Sequence, residues 1–367
     1  MNARERRRYS RHLLIPEVGL SGQERLRAAR VLVIGAGGLG SPALQYLAAA
    51  GVGRIGIVDD DTVDETNLQR QTIFADRDIG KRKAVVAAER LHELNPLIDV
   101  DALSLRFDAR NARELVRVYD VVLDCTDRFP TRYLINDACF LEGRPEVYGS
   151  IFRFDGQVSV FAAPGPCYRC LYPEPPPPQE RPTCSEGGVL GALAGIVGTL
   201  QASEALKLIL QIGETLAGRL LLIDTLGARV HEVRFERDPQ CALCGASPEV
   251  TAVSGTAYDD GPEESPVAEI EAERLAAALR DARLLDVREP HEAVLGSIDG
   301  AVRIPASELE ARMHELDSAA HYVVACRIGA KSLWAVRRLQ DAGFARLSHL
   351  RGGLLAYAAH HQEFELF

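Results

Sequence analysis

Up to about Ala162, short unbroken apolar runs alternate with stretches whose apolar residues recur at helical spacing. VLVIG from Val31, RIGIVD from Arg54, YDVVLDC from Tyr119, EVYGS from Glu146 and QVSVFA from Gln157 read as strands. Between them, KRKAVVAAERLHELNP from Lys81 reads as a helix that Asn95-Pro96 stops. The alternation predicts an α/β fold of βαβ units on a mostly parallel, Rossmann-like sheet. A second helical stretch, GIVGTLQASEALKLIL from Gly195, precedes strand-like GRLLLIDTLGARVHEVRF from Gly218. From Pro248 to Pro266 the chain turns polar, acidic and rich in Gly, Ser and Pro, as a linker does. Beyond it, RLLDVRE, HYVVACR, SLWAVRRLQDAGF and ARLSHLRGG give a separate α/β pattern. The expected organisation is therefore a domain over 1–247, a linker over 248–265 and a second α/β domain over 266–367.

Composition narrows the function classes. A formal charge of −10 over 367 residues disfavours direct nucleic-acid binding. The start, MNARERRRYSRHLLIP, is charged and lacks the apolar core of about 7–15 residues that a signal peptide needs. The longest apolar candidate, Gly187 to Gly198, is glycine-rich and short of the ~18–20 residues that cross a bilayer. The expectation is a cytoplasmic protein without a membrane partner. In that compartment the eight cysteines point to metal binding or catalysis and not to a disulfide framework.

The chemistry begins at VLVIGAGGLGSP, where Gly35, Gly37 and Gly40 fit G-x-G-x-x-G after a strand. Asp59-Asp60-Asp61 ends the next apolar run at the ~20-residue distance of a ribose-binding acid. Alone, this reads as an NAD-dependent dehydrogenase. The block Asn67-Leu68-Gln69-Arg70-Gln71 argues for ATP, because a triphosphate needs the cations that Arg70 and Lys83 supply. Asp124 and Asp127, in VVLDCTDRFPTR, fall at the carboxyl end of a strand, where α/β sheets bind ligands.

Two C-x-x-C pairs, Cys167/Cys170 and Cys241/Cys244, flank a Pro-rich stretch, EPPPPQERP, expected to be a mobile loop. Four thiolates close a tetrahedral Zn²⁺ site with no open position, which makes the metal structural. A redox dithiol is the alternative for either pair. Cys125 and Cys139 lie in apolar runs and read as inert core thiols. Cys184 follows the Pro-rich stretch in a polar setting with only Arg181 as a nearby cation. Cys326 ends the strand HYVVAC, and the loop amides, the next helix and the cations Arg327 and Lys331 suit a thiolate or persulfide.

GAGGLGSP, DDDTVDETNLQRQ, LDCTD and the paired C-x-x-C motifs resemble the ThiF/MoeB/ubiquitin-activating (E1-like) family. RLLDVREPHEAVLGSIDGAVRIP and CRIGAKS resemble a rhodanese domain, as in the two-domain members of that family. The resemblance implies ATP-dependent adenylation of the C-terminal glycine of a ubiquitin-like sulfur carrier (MoaD-, ThiS- or CysO-like, ending in Gly-Gly). It further implies that sulfur from a rhodanese persulfide makes a C-terminal thiocarboxylate. By position, the loop around Gly38 lies against ATP, and Asp59 holds the ribose. Thr66, Asn67, Leu68, Gln69, Arg70 and Lys83 surround the phosphates, and Asp127 serves adenylation through Mg²⁺. Arg11 matches an arginine reaching into a neighbouring subunit's site, which implies a homodimer. Cys184 matches the cysteine that captures the activated carboxylate or a sulfur intermediate, and Asp286 braces the Cys326 loop. Arg128 stands where the family usually has Asn, and Ser297 where rhodaneses commonly have GHI. The implied sulfur donor is a cysteine desulfurase or thiosulfate. The product serves molybdenum cofactor, thiamine, cysteine or thiolated tRNA. Adenylation with sulfur from another donor, and a zinc-stabilised docking module with a degenerate site, are the remaining alternatives.

Overall fold

The computed structural model describes residues 1–175, 188–254, 258, 267–293, 296 and 298–361. These fall into two compact units, the first through 258 and the second from 267. The Pro-rich stretch from Pro176 on, Cys184, Ser297 and most of the linker lie outside the described residues.

The first unit is built on eight strands: β1 (Arg30–Ile34), β2 (Arg54–Val58), β3 (Asp99–Leu103), β4 (Val121–Asp124), β5 (Glu146–Phe152), β6 (Asp155–Phe161), β7 (Arg219–Asp224) and β8 (Arg229–Arg234). Their order is β3-β2-β1-β4-β5-β6-β7-β8; the first five are parallel, and β5 to β8 pair antiparallel. Alternate side chains enter two cores. Val31 and Val33 join one with Leu44 and Val197, while Leu32 and Ile34 join the other with Ile135 and Tyr148. Burial on both faces explains why these strands read as continuous apolar runs.

The helix Gly191–Leu210 is longer than the apolar run that suggested it. By length and composition it suffices to cross a membrane, which corrects the expectation that no segment does. Its polar side chains are used inside the protein. Gln201 Nε2 donates to the carbonyls of Asp124 (2.6 Å) and Val147 (3.1 Å), and Glu204 accepts from the Leu216 amide at 2.8 Å. It is a core helix packed on the sheet.

The second unit holds β9 (Ala268–Ile270), β10 (Arg283–Asp286), β11 (Val302–Arg303), β12 (Tyr322–Ala325) and β13 (Leu347–Leu350). They form a parallel sheet in the order β11-β10-β12-β13-β9. Leu285 and Val324 face a core with Val336 and Leu339 of the helix Ala330–Asp341, and Leu284 and Val323 face one with Leu354.

Candidate active site

β1 lies between β2 and β4, so the connections leave it in opposite directions and open a crevice at the carboxyl ends. A cleft of about 320 Å³ occupies that position, among the ends of β1, β2 and β4. Gly35 makes the turn at φ +95°, where a Cβ would come within 2.7 Å of the Cys125 carbonyl oxygen. At Gly37 a Cβ would meet only Gln71 Nε2, at 3.6 Å, so the bare backbone is open to a ligand in the cleft. Gly38 also lines the cleft, against Arg70 and Ala194. Asp59 accepts the amides of Ala36 (2.8 Å) and Asp61 (2.9 Å), tying the glycine loop to the end of β2. Burial pushes its carboxyl up, against the pull of Lys83 and these amides.

The block after Asp61 divides. Asp64 accepts from the Thr66 amide (2.9 Å) and hydroxyl (2.6 Å), and Arg70 donates to the Thr66 carbonyl at 3.0 Å. Asn67, Arg70 and Gln71 line the cleft, whereas Thr66, Leu68 and Gln69 do not. Leu68 packs on the core, and the Gln69 carbonyl lies against Gly191. Lys83 is buried on the first turn of the helix Lys83–Leu94, its Nζ 2.9 Å from Asp61. Asp127 and Arg128 stand exposed at the mouth, and both line it. Arg11 is exposed on the short helix Ser10–Leu13 and does not line the cleft of its own chain. Sequence reasoning did not single out Arg106, Phe107, Thr126 or Arg132, all of which line the cleft. The first two follow a strand, β3, that the apolar pattern did not announce.

The four paired cysteines converge, with sulfur atoms all within 4.8 Å of one another. Cys167–Cys170, Cys167–Cys241 and Cys170–Cys244 are 3.9, 3.6 and 3.2 Å apart. A tetrahedral zinc with ~2.3 Å arms needs sulfur spacings of about 3.8 Å, so the donor set fits that metal. The Asp238 amide donates to Cys170 Sγ at 3.4 Å, and the Arg237 guanidinium to the Cys244 carbonyl. Burial pushes the Cys244 thiol up to about 12 and Cys167 higher still, so protons are held there unless a metal displaces them. Cys125 and Cys139 are buried, and burial pushes both thiols well up.

In the second unit Cys326 follows β12 and is 1% exposed. The Gly329 amide donates to Sγ at 3.1 Å. Burial pushes the thiol up, and hydrogen bonds from the Ser332, Gly329 and Ile328 region pull it back. The Leu354 and Leu355 amides hold the Cys326 and Arg327 carbonyls, at 2.9 and 3.0 Å. Lys331, expected to face the sulfur, gives its Nζ to the buried Glu292 at 2.8 Å. Asp286 forms a buried pair with Arg288 (2.7 Å), which also donates to the Glu292 and Gly296 carbonyls. Asp286 therefore braces the segment carrying Glu292, and through it Lys331.

The first unit has the build of an E1-like nucleotide-binding protein, and the second that of a rhodanese-like domain. Comparison with known proteins agrees. Residues 9–243 match the ThiF family and residues 271–360 the rhodanese-like domain. The chain belongs to the ThiF family and carries a C-terminal rhodanese-like domain. It is 46% identical over 361 residues to the "Probable adenylyltransferase/sulfurtransferase MoeZ" of Mycobacterium tuberculosis, covering 96% of this chain and 92% of that one. The mouse "Adenylyltransferase and sulfurtransferase MOCS3" is 41% identical over 393 residues (96% and 85% covered). The "Sulfur carrier protein adenylyltransferase" of Thermus thermophilus is 53% identical over 247 residues, 66% of this chain and 91% of that one. Among solved structures, E. coli MccB with ATP shares the fold: TM-score 0.58, 24% identity, 66% of this chain and 75% of that one covered.

Proposed function

We propose that this chain uses ATP to adenylate the C-terminal glycine of a ubiquitin-like sulfur carrier ending in Gly-Gly, then supplies sulfur from Cys326 to make a thiocarboxylate. Adenylation is assigned to 1–247 and sulfur transfer to 266–367. The observation that carries the reading is the convergence of Gly37, Gly38, Asp59, Arg70, Lys83 and Asp127 on one cleft at the sheet's reversal point.

In the first step a carboxylate oxygen attacks the α-phosphorus, pyrophosphate leaves, and an acyl-adenylate forms. Two anions meet, so Arg70 and Lys83 must offset the growing charge. Mg²⁺ bound with ATP supplies further neutralisation, and Asp127 would hold it. Arg11 of a second copy completes the site in a homodimer. Zn²⁺ would be held by Cys167, Cys170, Cys241 and Cys244 and would close the fold there.

In the second step the Cys326 thiolate takes the sulfane sulfur of a cysteine desulfurase persulfide or of thiosulfate, and the donor leaves as thiolate or sulfite. The terminal persulfide sulfur attacks the acyl carbon and AMP leaves, giving an acyl disulfide. A thiol then cleaves the sulfur–sulfur bond, which frees the thiocarboxylate, and external thiols reduce the resulting disulfide. Cys184 is the chain's own candidate for that thiol.

ATP–pyrophosphate exchange tests the first step. Exchange should require a carrier ending in Gly-Gly, and Asp127→Ala should abolish it. Tight NAD binding without ATP binding would return the glycine loop to a dehydrogenase.

A further inference from the structure

Beneath the mouth of the cleft lie two buried side chains, Asp124 and Arg132, to which the adenylation scheme gives no role. Asp124, the last residue of β4, is fully buried. Its Oδ1 accepts from the Thr126 amide (2.9 Å) and hydroxyl (2.7 Å), while Oδ2 is buried without a partner. Arg132 is 6% exposed on the helix Phe129–Leu141, so its charge is confined to the floor of the cleft that it lines. Its Nη2 donates to the Thr126 carbonyl at 3.4 Å, and its Nε is buried without a partner. The guanidinium is 5.0 Å from the Phe129 ring and 5.7 Å from that of Tyr148, packed between aromatic faces. Thr126 is thus held through its amide and hydroxyl by the carboxylate and through its carbonyl by the guanidinium. The next residue is Asp127.

We infer that Arg132 is a positioning residue that holds the Thr126–Asp127 segment through the Thr126 carbonyl, so that the Asp127 carboxylate meets ATP in the cleft. Asp127 is exposed and lies in the irregular segment between β4 and the helix Phe129–Leu141, so its direction depends on what grips Thr126. Arg132 feels the charges of both Asp124 and Asp127. With Arg132 Nε and Asp124 Oδ2 both idle, the two side chains retain hydrogen-bonding capacity for the loaded site, where such contacts tighten. The inference rests on the adenylation reading and adds a residue to it.

The test uses the full-length protein, a Gly-Gly-ending carrier, ATP–pyrophosphate exchange and thermal melting. Arg132→Gln should lower kcat about a hundred-fold, as displacement of a reacting group does, with the KM for ATP nearly unchanged. Arg132→Lys, which keeps the charge and loses the fork, should recover part of the rate. Burial pushes the Asp124 carboxyl up against the pull of Arg132 and the Thr126 hydrogen bonds, so Arg132→Gln also removes a charge that offsets that burial and should lower the melting temperature. The double variant Asp124→Asn/Arg132→Gln removes both charges and separates folding from positioning. It should regain melting temperature while kcat stays low, and it carries the test should Arg132→Gln fail to fold. A double variant whose kcat returns to wild type along with its melting temperature would overturn the inference, as would Arg132→Gln at the wild-type rate. Wild-type protein without exchange would overturn the adenylation reading itself.

Discussion

The cleft of the first unit and the Cys326 loop of the second both face an anion, yet they are built from different groups. In the cleft, Arg70 and Lys83 stand among Asp59, Asp61 and Asp127, with Asp127 open to solvent. At Cys326 the Gly329 amide donates to the sulfur, while Lys331 is committed to Glu292 and Arg327 of the same loop is half-buried. The difference follows the amount of charge handled. A carboxylate approaching a triphosphate brings several like charges together, and only cations offset them. A single thiolate or persulfide is satisfied by a nest of amides, and a buried unpaired cation beside it would have to be desolvated.

The largest expected effect separates the two sites. Lys83→Ala should lower kcat/KM for exchange by about 10²–10³-fold, the usual loss of one preorganised charge. Transfer of thiosulfate sulfur to cyanide should be unchanged; a parallel loss in both assays would break the comparison. Next comes the amide loop. Gly329 has φ +104°, which a side chain adopts only under strain. Gly329→Ala should cut sulfur transfer about tenfold or more; Lys331→Ala, which leaves the buried Glu292 without its cation and should lower the melting temperature, should cut it less than threefold. The reverse ranking would put cations in charge of the sulfur after all. A smaller and purely structural effect belongs to the cysteine cluster. Cys241→Ser should reduce bound zinc and lower the melting temperature by several degrees, at about 2–4 °C per kcal/mol for a domain of this size. Unchanged metal content and melting would remove the metal assignment.

The smallest effect lies outside both sites and calibrates them. Arg117 and Arg113 hold the Glu142 carboxyl down at about 2, against an ordinary 4.5. Its folded-state value is depressed, so the pair stabilises above pH 4.5, and that contribution is lost as the pH falls toward 2. Glu142→Gln should cost about 1 kcal/mol at pH 7, since both arginines are largely exposed. Urea titrations should show that gap closing between pH 4.5 and 2.

Much of this was legible locally. The buried strands, the glycine turn at Gly35 and the four paired cysteines each carry their chemistry within a few neighbouring residues. Elements whose partners are distant were not. β3 is the half-exposed DVDAL and β9 only AEI, so neither shows an apolar run. β8, exposed along its whole length, was legible because its partner β7 lies just before it in the same strand-like stretch. Arg132 resembled any helix arginine until the helix was docked beneath β4. Lys331 read as a cation for Cys326 because Glu292, its partner, lies 39 residues upstream. Thr66, Leu68 and Gln69 sit in a block whose composition suits phosphates, but a short turn points only Asn67, Arg70 and Gln71 inward.

The central claim is that one chain both activates a carrier and gives it sulfur. Its most direct test is the intact mass of a Gly-Gly-ending carrier after incubation with ATP, thiosulfate, a thiol reductant and either wild-type protein or Cys326→Ala. Wild type should exchange one carrier oxygen for sulfur. Cys326→Ala should leave the carrier mass unchanged while supporting pyrophosphate exchange at the wild-type rate. Full thiocarboxylate formation by Cys326→Ala, with no other sulfurtransferase present, would contradict the account.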